Sequence, residues 1–186
     1  MKRILTLVFI FMLMVSLQGC AKQQPTNDLT FSEGEVKTLV KGWTVYTNPA
    51  YRYEFRLPRT WQYKDSGEDG KIVELYNSTR VAEGQTPDMT IKCVSNWQEN
   101  LSLDEIYENA ENNFFQLALE QENIKLSGKD AFWLKNVKIE DVEKSFDVII
   151  LDLDDRVMEI TITDLTDKVK TIMSSLYFYT DNVYNQ

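Results

Sequence analysis

The chain has 186 residues, 43% of them apolar, with 20 Lys and Arg against 29 Asp and Glu, a net charge of −9, and no histidine. Without histidine there is no Ser-His-Asp or Cys-His nucleophile, almost no zinc-site pattern, and no side chain that ordinarily titrates near pH 7. The acidic balance weighs against nucleic acid or another polyanion as partner, and against a polybasic membrane-surface role.

In chain order the first element is a targeting segment. Lys2 and Arg3 form a positive start, Ile4 to Leu17 is a charge-free apolar run of 14 residues, and Gln18-Gly19-Cys20 closes it. A membrane-spanning helix needs about 20 apolar residues and usually a basic stop-transfer cluster, so this run is too short and wrongly flanked. Its pattern is that of a secretory signal ending in a lipoprotein box, with Leu17 and Gly19 as the recognition residues. The expected chemistry is attachment of a diacylglycerol to the Cys20 thiol, cleavage before Cys20, and acylation of the new amino terminus. Two or more acyl chains on one residue give stable anchoring, because each buried CH₂ contributes about 0.8 kcal/mol. Ala21 rather than Asp follows the cysteine. The expectation is therefore the outer membrane in a two-membrane cell, and the outer face of the plasma membrane in a single-membrane one.

Residues 20–42 read as the lipidated terminus and a polar tether containing Pro25, with a span of roughly 25 Å. Removing residues 1–19 leaves 167 residues with 18 Lys and Arg against 29 Asp and Glu, or −11. With Cys20 lipidated, Cys93 is the sole thiol and no intramolecular disulfide can form. Residues 43–180 are enough for one domain with an adequate core.

Trp43 to Tyr46 reads as a short strand before the Asn48-Pro49 turn. Residues 52–57 alternate, with Tyr53, Phe55 and Leu57 on the apolar side, and Pro58 ends that strand. Trp61 to Tyr63 continues along an edge, residues 65–70 form a turn, and Lys71 to Tyr76 follows as a strand. After a loop at 79–88, Met89, Ile91 and Cys93 share the apolar face of a strand over 89–94, where a thiol acts as a small inert hydrophobe. Ser102 and Glu105 make a capping box that opens a helix predicted to run to about Gln121. Its apolar stripe is Leu103, Ile106, Tyr107, Ala110, Phe114, Leu117 and Ala118. Glutamates rather than lysines lie off that stripe, so the helix covers a sheet and not a bilayer.

Strands at Ile124–Leu126, Ala131–Val137, Lys144–Leu153 and Val157–Thr163 follow, with turns at Gly128 and at Asp154-Asp155. Phe146 to Leu151 is almost continuously apolar, as expected of a central strand covered on both faces. Val169, Ile172, Met173 and Leu176 give a second helical stripe capped by Asp164 or Thr166, and the tail is expected to dock Phe178 on the core.

Candidate sites were weighed along the same chain. The turn from Asp65 to Gly70 fails as a calcium loop, because Gly67 and Tyr76 stand where an EF-hand needs oxygen ligands. Asp152, Asp154 and Asp155, like Glu140, Asp141 and Glu143, read as charged turns that protect sheet edges. No pair of carboxylates is singled out for glycoside hydrolysis. Among the aromatics Trp43, Tyr46, Tyr51, Trp61, Trp97 and Trp133, those set down as a partner or ligand surface are Trp97, Tyr51 and Trp61. Trp97 stands out because its neighbours are polar.

The string Tyr51-Arg-Tyr-Glu-Phe-Arg-Leu-Pro-Arg-Thr-Trp61 resembles the Phe-x-aliphatic-Pro-x-x-Trp opening of PsbP-like domains, of the Mog/PsbP fold. The spacing to the Ser102 helix, the Gly128–Trp133 segment and a closing helix ending near Leu176-Tyr-Phe extend the resemblance over about residues 43–178. At position 52 that family often carries glycine; here it is Arg52. The resemblance implies an antiparallel sheet with helices on its faces and a non-catalytic domain. Its known relatives bind proteins, in photosynthetic oxygen evolution or on the Ran GTPase, and many bacterial ones are lipoproteins. No site residue of theirs maps onto this chain.

The sequence thus predicts an α+β fold, an α/β/α sandwich built on an antiparallel β-sheet. The expected function is that of a membrane-tethered extracytoplasmic lipoprotein, a non-catalytic binding or adaptor module for a protein partner. It has no cofactor, no metal and no nucleic acid. The alternative is a small-ligand receptor or envelope stress factor with a pocket between sheet and helix. A hydrolase of unknown type ranks third.

Overall fold

The computed structural model of the chain describes residues 27–28, 42–94, 101–107, 113–140, 142–153 and 156–179. Leu17, Gly19, Cys20, Ala110, Trp97 and the Asp154-Asp155 turn lie outside the described residues. The architecture is set by one eight-stranded sheet. Its strands are β1 (Asn27–Asp28), β4 (Gln62–Ser66), β5 (Ile72–Tyr76), β6 (Met89–Cys93), β7 (Glu120–Leu126), β8 (Lys129–Val137), β9 (Phe146–Asp152) and β10 (Val157–Ile162). They lie in the order β1-β7-β8-β9-β10-β6-β5-β4. The short β1 pairs parallel with β7, and every other pairing in this sheet is antiparallel.

A second sheet has three strands, β2 (Trp43–Asn48), β3 (Tyr53–Pro58) and β11 (Tyr177–Phe178), in the order β11-β3-β2. The alternation read from residues 53–57 is realised in it: Tyr53, Phe55 and Leu57 are buried against the large sheet. Helix α3 (Asp167–Ser174) lies beside this sheet. Thr166 caps it by accepting from the Val169 amide at 3.2 Å, so the cap falls on Thr166 and not on Asp164. Val169, Ile172 and Met173 enter the same core. The Ser175 hydroxyl accepts from the Arg56 amide at 2.8 Å and ties the helix end to β3.

The crossing between sheets uses the string that carries the family resemblance. Pro58 ends β3, Trp61 donates its amide to the Pro58 carbonyl at 2.8 Å, and β4 then starts in the other sheet. Trp61 fills the corner and is 3% exposed, and Tyr51 is 8% exposed in the same core. Both are candidates in the sequence for a partner or ligand surface; in the structure both are buried in the core. A large ring at a strand crossing removes more apolar area from water than any smaller side chain there could.

Central placement of β9 follows the expectation. Val148, Ile149, Ile150 and Leu151 have no exposure, with alternate residues in cores on opposite faces of the sheet. Cys93 is buried in the larger core, as its apolar strand face predicts. At the β7–β8 hairpin Ser127 and Gly128 both take positive φ (54° and 75°), the two-residue turn whose twist matches the strands.

The predicted helix over 102–121 is the main correction. The capping box forms as read: the Ser102 amide donates to Glu105 Oε2 at 2.8 Å and the Glu105 amide to Ser102 Oγ at 3.3 Å. Helix α1 is described over Leu103–Tyr107, residues 108–112 lie outside the described residues, and a separate helix α2 (Phe114–Leu117) starts after Asn113. Gln121, set at the helix end, lies in β7. The physical reason is Asn113, whose backbone is extended (φ −81°, ψ 96°). Its side chain donates to the Tyr107 carbonyl at 2.8 Å and accepts from the Phe115 amide at 3.1 Å. One amide side chain thus bonds the carbonyl of Tyr107 in α1 and caps the start of α2, the kind of local bonding by which Asn favours caps over helix interiors. The stripe residues still reach the sheet: Leu103, Ile106, Phe114, Leu117 and Ala118 pack on the second core.

Replacing Asn113 by Ala removes both bonds. The expected loss is about 1 kcal/mol of folding stability, read as a lower urea midpoint at unchanged slope. An unchanged midpoint would show that the two helices hold their places without this cap.

Candidate functional site

The face of the large sheet beneath α1 and α2 holds the chain's most distinctive polar arrangement. In β10 the sequence Val157-Met158-Glu159-Ile160 places one acid within an apolar run. Glu159 is 5% exposed, pairs in register with Lys92 of β6 on one side and Ile150 of β9 on the other, and points towards α1. A buried carboxylate is costly unless charge and hydrogen bonds satisfy it. Here the Tyr107 hydroxyl donates to Glu159 Oε1, and Lys92 Nζ stands 3.6 Å from Oε2. Burial, followed by the Glu159 charge, pushes the Tyr107 phenol well above its ordinary range, so it remains a donor. The group is an anchor: it holds Tyr107 of α1 to the sheet through an acid paired with Lys92.

A cavity of about 570 Å³ lies beside this anchor. Leu103 and Tyr107 of α1, Phe115 of α2 and Phe132 of β8 supply its apolar lining, and Asp104, Asn113 and Gln116 its polar groups. Phe115 stands edge-on to Tyr107 (5.4 Å between centroids, 77° between planes) and to Phe132 (5.4 Å, 74°). The cavity lies between sheet and helices, where the small-ligand reading put a pocket. Sequence reasoning took Tyr107 only as a core stripe residue and singled out neither Phe115, Phe132 nor Glu159. The one available signal was the lone acid in an otherwise buried strand.

A second polar group lies between the two sheets. Asn48 donates to the Gly70 carbonyl at 3.0 Å and accepts from the Tyr51 amide at 3.0 Å, while its carbonyl accepts from the Tyr179 hydroxyl at 2.9 Å. Gly70 has a φ of 72°, and a Cβ there would come within 3.0 Å of Asn48 Nδ2, so glycine is required twice over. Tyr46 donates to Asp65 Oδ1 at 3.1 Å. Burial outweighs the nearby Arg156 and Lys71 charges and pushes the Cys93 thiol up to about 12, which leaves it unreactive. This group closes one end of the sandwich and offers no nucleophile.

The remaining aromatics serve packing. Tyr46 is buried, and Trp43 and Trp133 are half-buried against the larger core. Trp133 Nε1 donates to Asp147 Oδ2 at 3.1 Å, and Lys135 Nζ lies 4.4 Å from the indole centroid. Among the described residues no three His, Cys, Asp or Glu side chains come together as a metal site, and no helix is long and apolar enough to cross a membrane.

No protein-family model matches the chain, and no curated protein matches it. Among solved structures it is similar to cyanobacterial PsbP (CyanoP) from Synechocystis sp. PCC 6803, seen in a solution structure. The identity is 15% and the TM-score 0.46, over 74% of this chain and 93% of that one. That protein bears the family name that the Tyr51–Trp61 string suggests. A likeness this shallow assigns no activity.

Tyr107→Phe leaves the buried Glu159 without its phenol. We expect a loss of about 1–3 kcal/mol, measured by urea unfolding. Tyr76→Phe removes a hydroxyl bonded to the partly exposed Glu74 and should cost less; equal losses would deny the anchor its special weight.

Alkali provides a second test. The Cys93 thiol rises from its ordinary 9.0 to about 12 in the folded chain, and Tyr46, Tyr53 and Tyr107 move in the same direction from 10.0. The unfolded chain therefore loses these protons first. Their contribution to stability is whole below about pH 9 and declines as pH rises towards 12. Guanidinium midpoints taken between pH 8 and 11 should fall progressively above 9; a level profile would contradict this burial.

Proposed function

We propose that the chain is a lipid-anchored extracytoplasmic binding module without catalytic activity, and that its partner is a protein. The observation that carries this reading is the Gly19-Cys20 string at the end of an apolar run of 14 residues, too short to span a bilayer. A polar stretch and one folded domain follow it. The chemistry of the domain agrees with a binding role: Tyr107 and Glu159 satisfy each other, and the Cys93 thiol is pushed away from reactivity. The resemblance to PsbP-like domains supports protein as the partner class.

A second reading draws on one specific observation, the cavity of about 570 Å³ between α1, α2 and the sheet. Cavities of roughly 300–1,000 Å³ with apolar walls and a few polar groups are the usual shape of small-ligand sites. On that reading the tethered domain is a receptor for a small molecule.

The test is made in cells. Cys20→Ser should abolish palmitate labelling and lipoprotein-type cleavage, while Cys93→Ser keeps both. Cross-linking of envelopes from the wild-type strain should recover a defined protein partner that is lost with Cys20→Ser. Palmitate incorporation surviving in the Cys20 variant would overturn the anchor, and turnover of a substrate by the purified chain would overturn the non-catalytic role.

A further inference from the structure

Resting on the protein-partner reading, we propose that one partner is a second copy of this chain, joined edge to edge through antiparallel pairing of strand β2. The first argument is how the sheet edges are built. An open strand edge presents unpaired N–H and C=O groups, and natural proteins blunt it with very short strands, charged side chains, Pro or bulges. Among the described strands, the edges β1 and β11 are two residues long. Edge strand β4 carries Lys64 and Asp65, both exposed. Strand β2 ends the smaller sheet and has none of these devices. Its six residues, Trp43 to Asn48, hold no charge, no Pro and no Gly, and their register with β3 runs unbroken from the Trp43 and Pro58 pair to the Asn48 and Tyr53 pair. Val45 is 55% exposed, and Thr44 and Thr47 are exposed beside it.

The second argument selects the occupant. A twofold axis between antiparallel strands sets one residue against its own counterpart and matches its neighbours symmetrically about it. An axis at Val45 sets Val45 against Val45, Thr44 against Tyr46, and Trp43 against Thr47 of the second copy. Pairs of β-branched and aromatic side chains are favourable cross-strand neighbours, and no like charges meet. The same operation at Lys64 or Asp65 of β4 would set lysine on lysine or acid on acid. Each copy carries −9, so two copies approach at least cost along a strand with no charge of its own. A single strand pair is a small contact and associates weakly by itself. The lipid anchor proposed above confines copies to one membrane surface and raises their effective concentration.

The experiment uses the full chain in cell envelopes under mild oxidation. Opposed Cα atoms of an antiparallel pair stand about 4.5 or 5.5 Å apart, both within reach of a disulfide. Val45→Cys should therefore give a disulfide-linked dimer on a non-reducing gel. Thr47→Cys is exposed too but lies four residues out of register with its own counterpart, and should give about tenfold less. Cys93 adds no background, since it is buried and its thiol is pushed up to about 12. A second measurement uses the purified full chain in phosphatidylcholine vesicles, as copies labelled with donor and acceptor dyes. Val45→Lys places like charges on the axis and should cut energy transfer about fivefold or more, with an unchanged urea midpoint because position 45 is exposed. Equal dimer yields from the two cysteine variants, no dimer from Val45→Cys, or energy transfer unchanged by Val45→Lys would each overturn the inference. Recovery of a different protein by envelope cross-linking, alongside such a failure, would leave the protein-partner reading standing; recovery of none would remove both.

Discussion

Strand β9 is apolar on both sides, and a strand of that kind cannot sit on the surface of anything. Val148 and Ile150 face one way, Ile149 and Leu151 the other, and all four are fully buried. At about 1.5–3 kcal/mol for each fully buried aliphatic side chain, exposing either face would forfeit a large part of a typical domain's net stability. The chain must therefore build two covers. One is thick: the three-stranded sheet and α3, which bring Tyr53, Phe55, Leu57, Ile172 and Met173 onto the sheet. The other is helical, with α1 described over Leu103–Tyr107 and α2 over Phe114–Leu117.

Helical segments in proteins draw most of their stability from packing and capping, so this cover depends on what fastens it to the sheet. Three fastenings are visible: the Ser102–Glu105 capping box, the doubly bonded Asn113, and the Tyr107 hydroxyl on Glu159. The last is an unusual choice, since an apolar residue at position 159 would pack the sheet without any desolvation cost. A carboxylate accepts a hydrogen bond from one direction, however, and apolar contact is not directional. Glu159 fixes where the end of α1 sits, and the adjoining cavity keeps its shape because of it.

The side of the sheet under β2, β3 and β11 is largely legible in the sequence and the helical side is not. Period-two alternation at 53–57 and 89–93, Pro58 as a stop, and the unbroken apolar run of β9 are local signals, and each matches the strand it implies. The single long helix expected over 102–121 fails at Asn113 because the apolar stripe continues through it; the periodicity is real, but the backbone is extended at Asn113, whose side chain caps α2 and bonds the Tyr107 carbonyl. The second sheet was not separable from the first, because strand pairing between distant segments leaves no local mark. Residue type alone makes Tyr51 and Trp61 candidates for a partner or ligand surface, whereas the corner they fill is created by the crossing itself. Arg52 adopts a φ of 55°, the left-handed conformation that glycine enters without strain. Its carbonyl accepts from the Tyr179 amide at 3.1 Å and from Arg156 Nη2 at 3.2 Å, contacts that hold the strained turn in place.

The helical cover also bears on what the domain can do. The cavity lies against it, with Leu103, Asp104 and Tyr107 of α1 and Phe115 and Gln116 of α2 in its lining. A group that binds only when Tyr107 and Phe115 are seated on the sheet adds its binding free energy to theirs, so occupancy and closure rise together by mass action. The thick cover has no such coupling, because its rings are packed against one another with Tyr46, Tyr53 and Phe55 in mutual contact. The anchor at Glu159 fixes Tyr107 on the sheet and so gives that side of the cavity a defined wall.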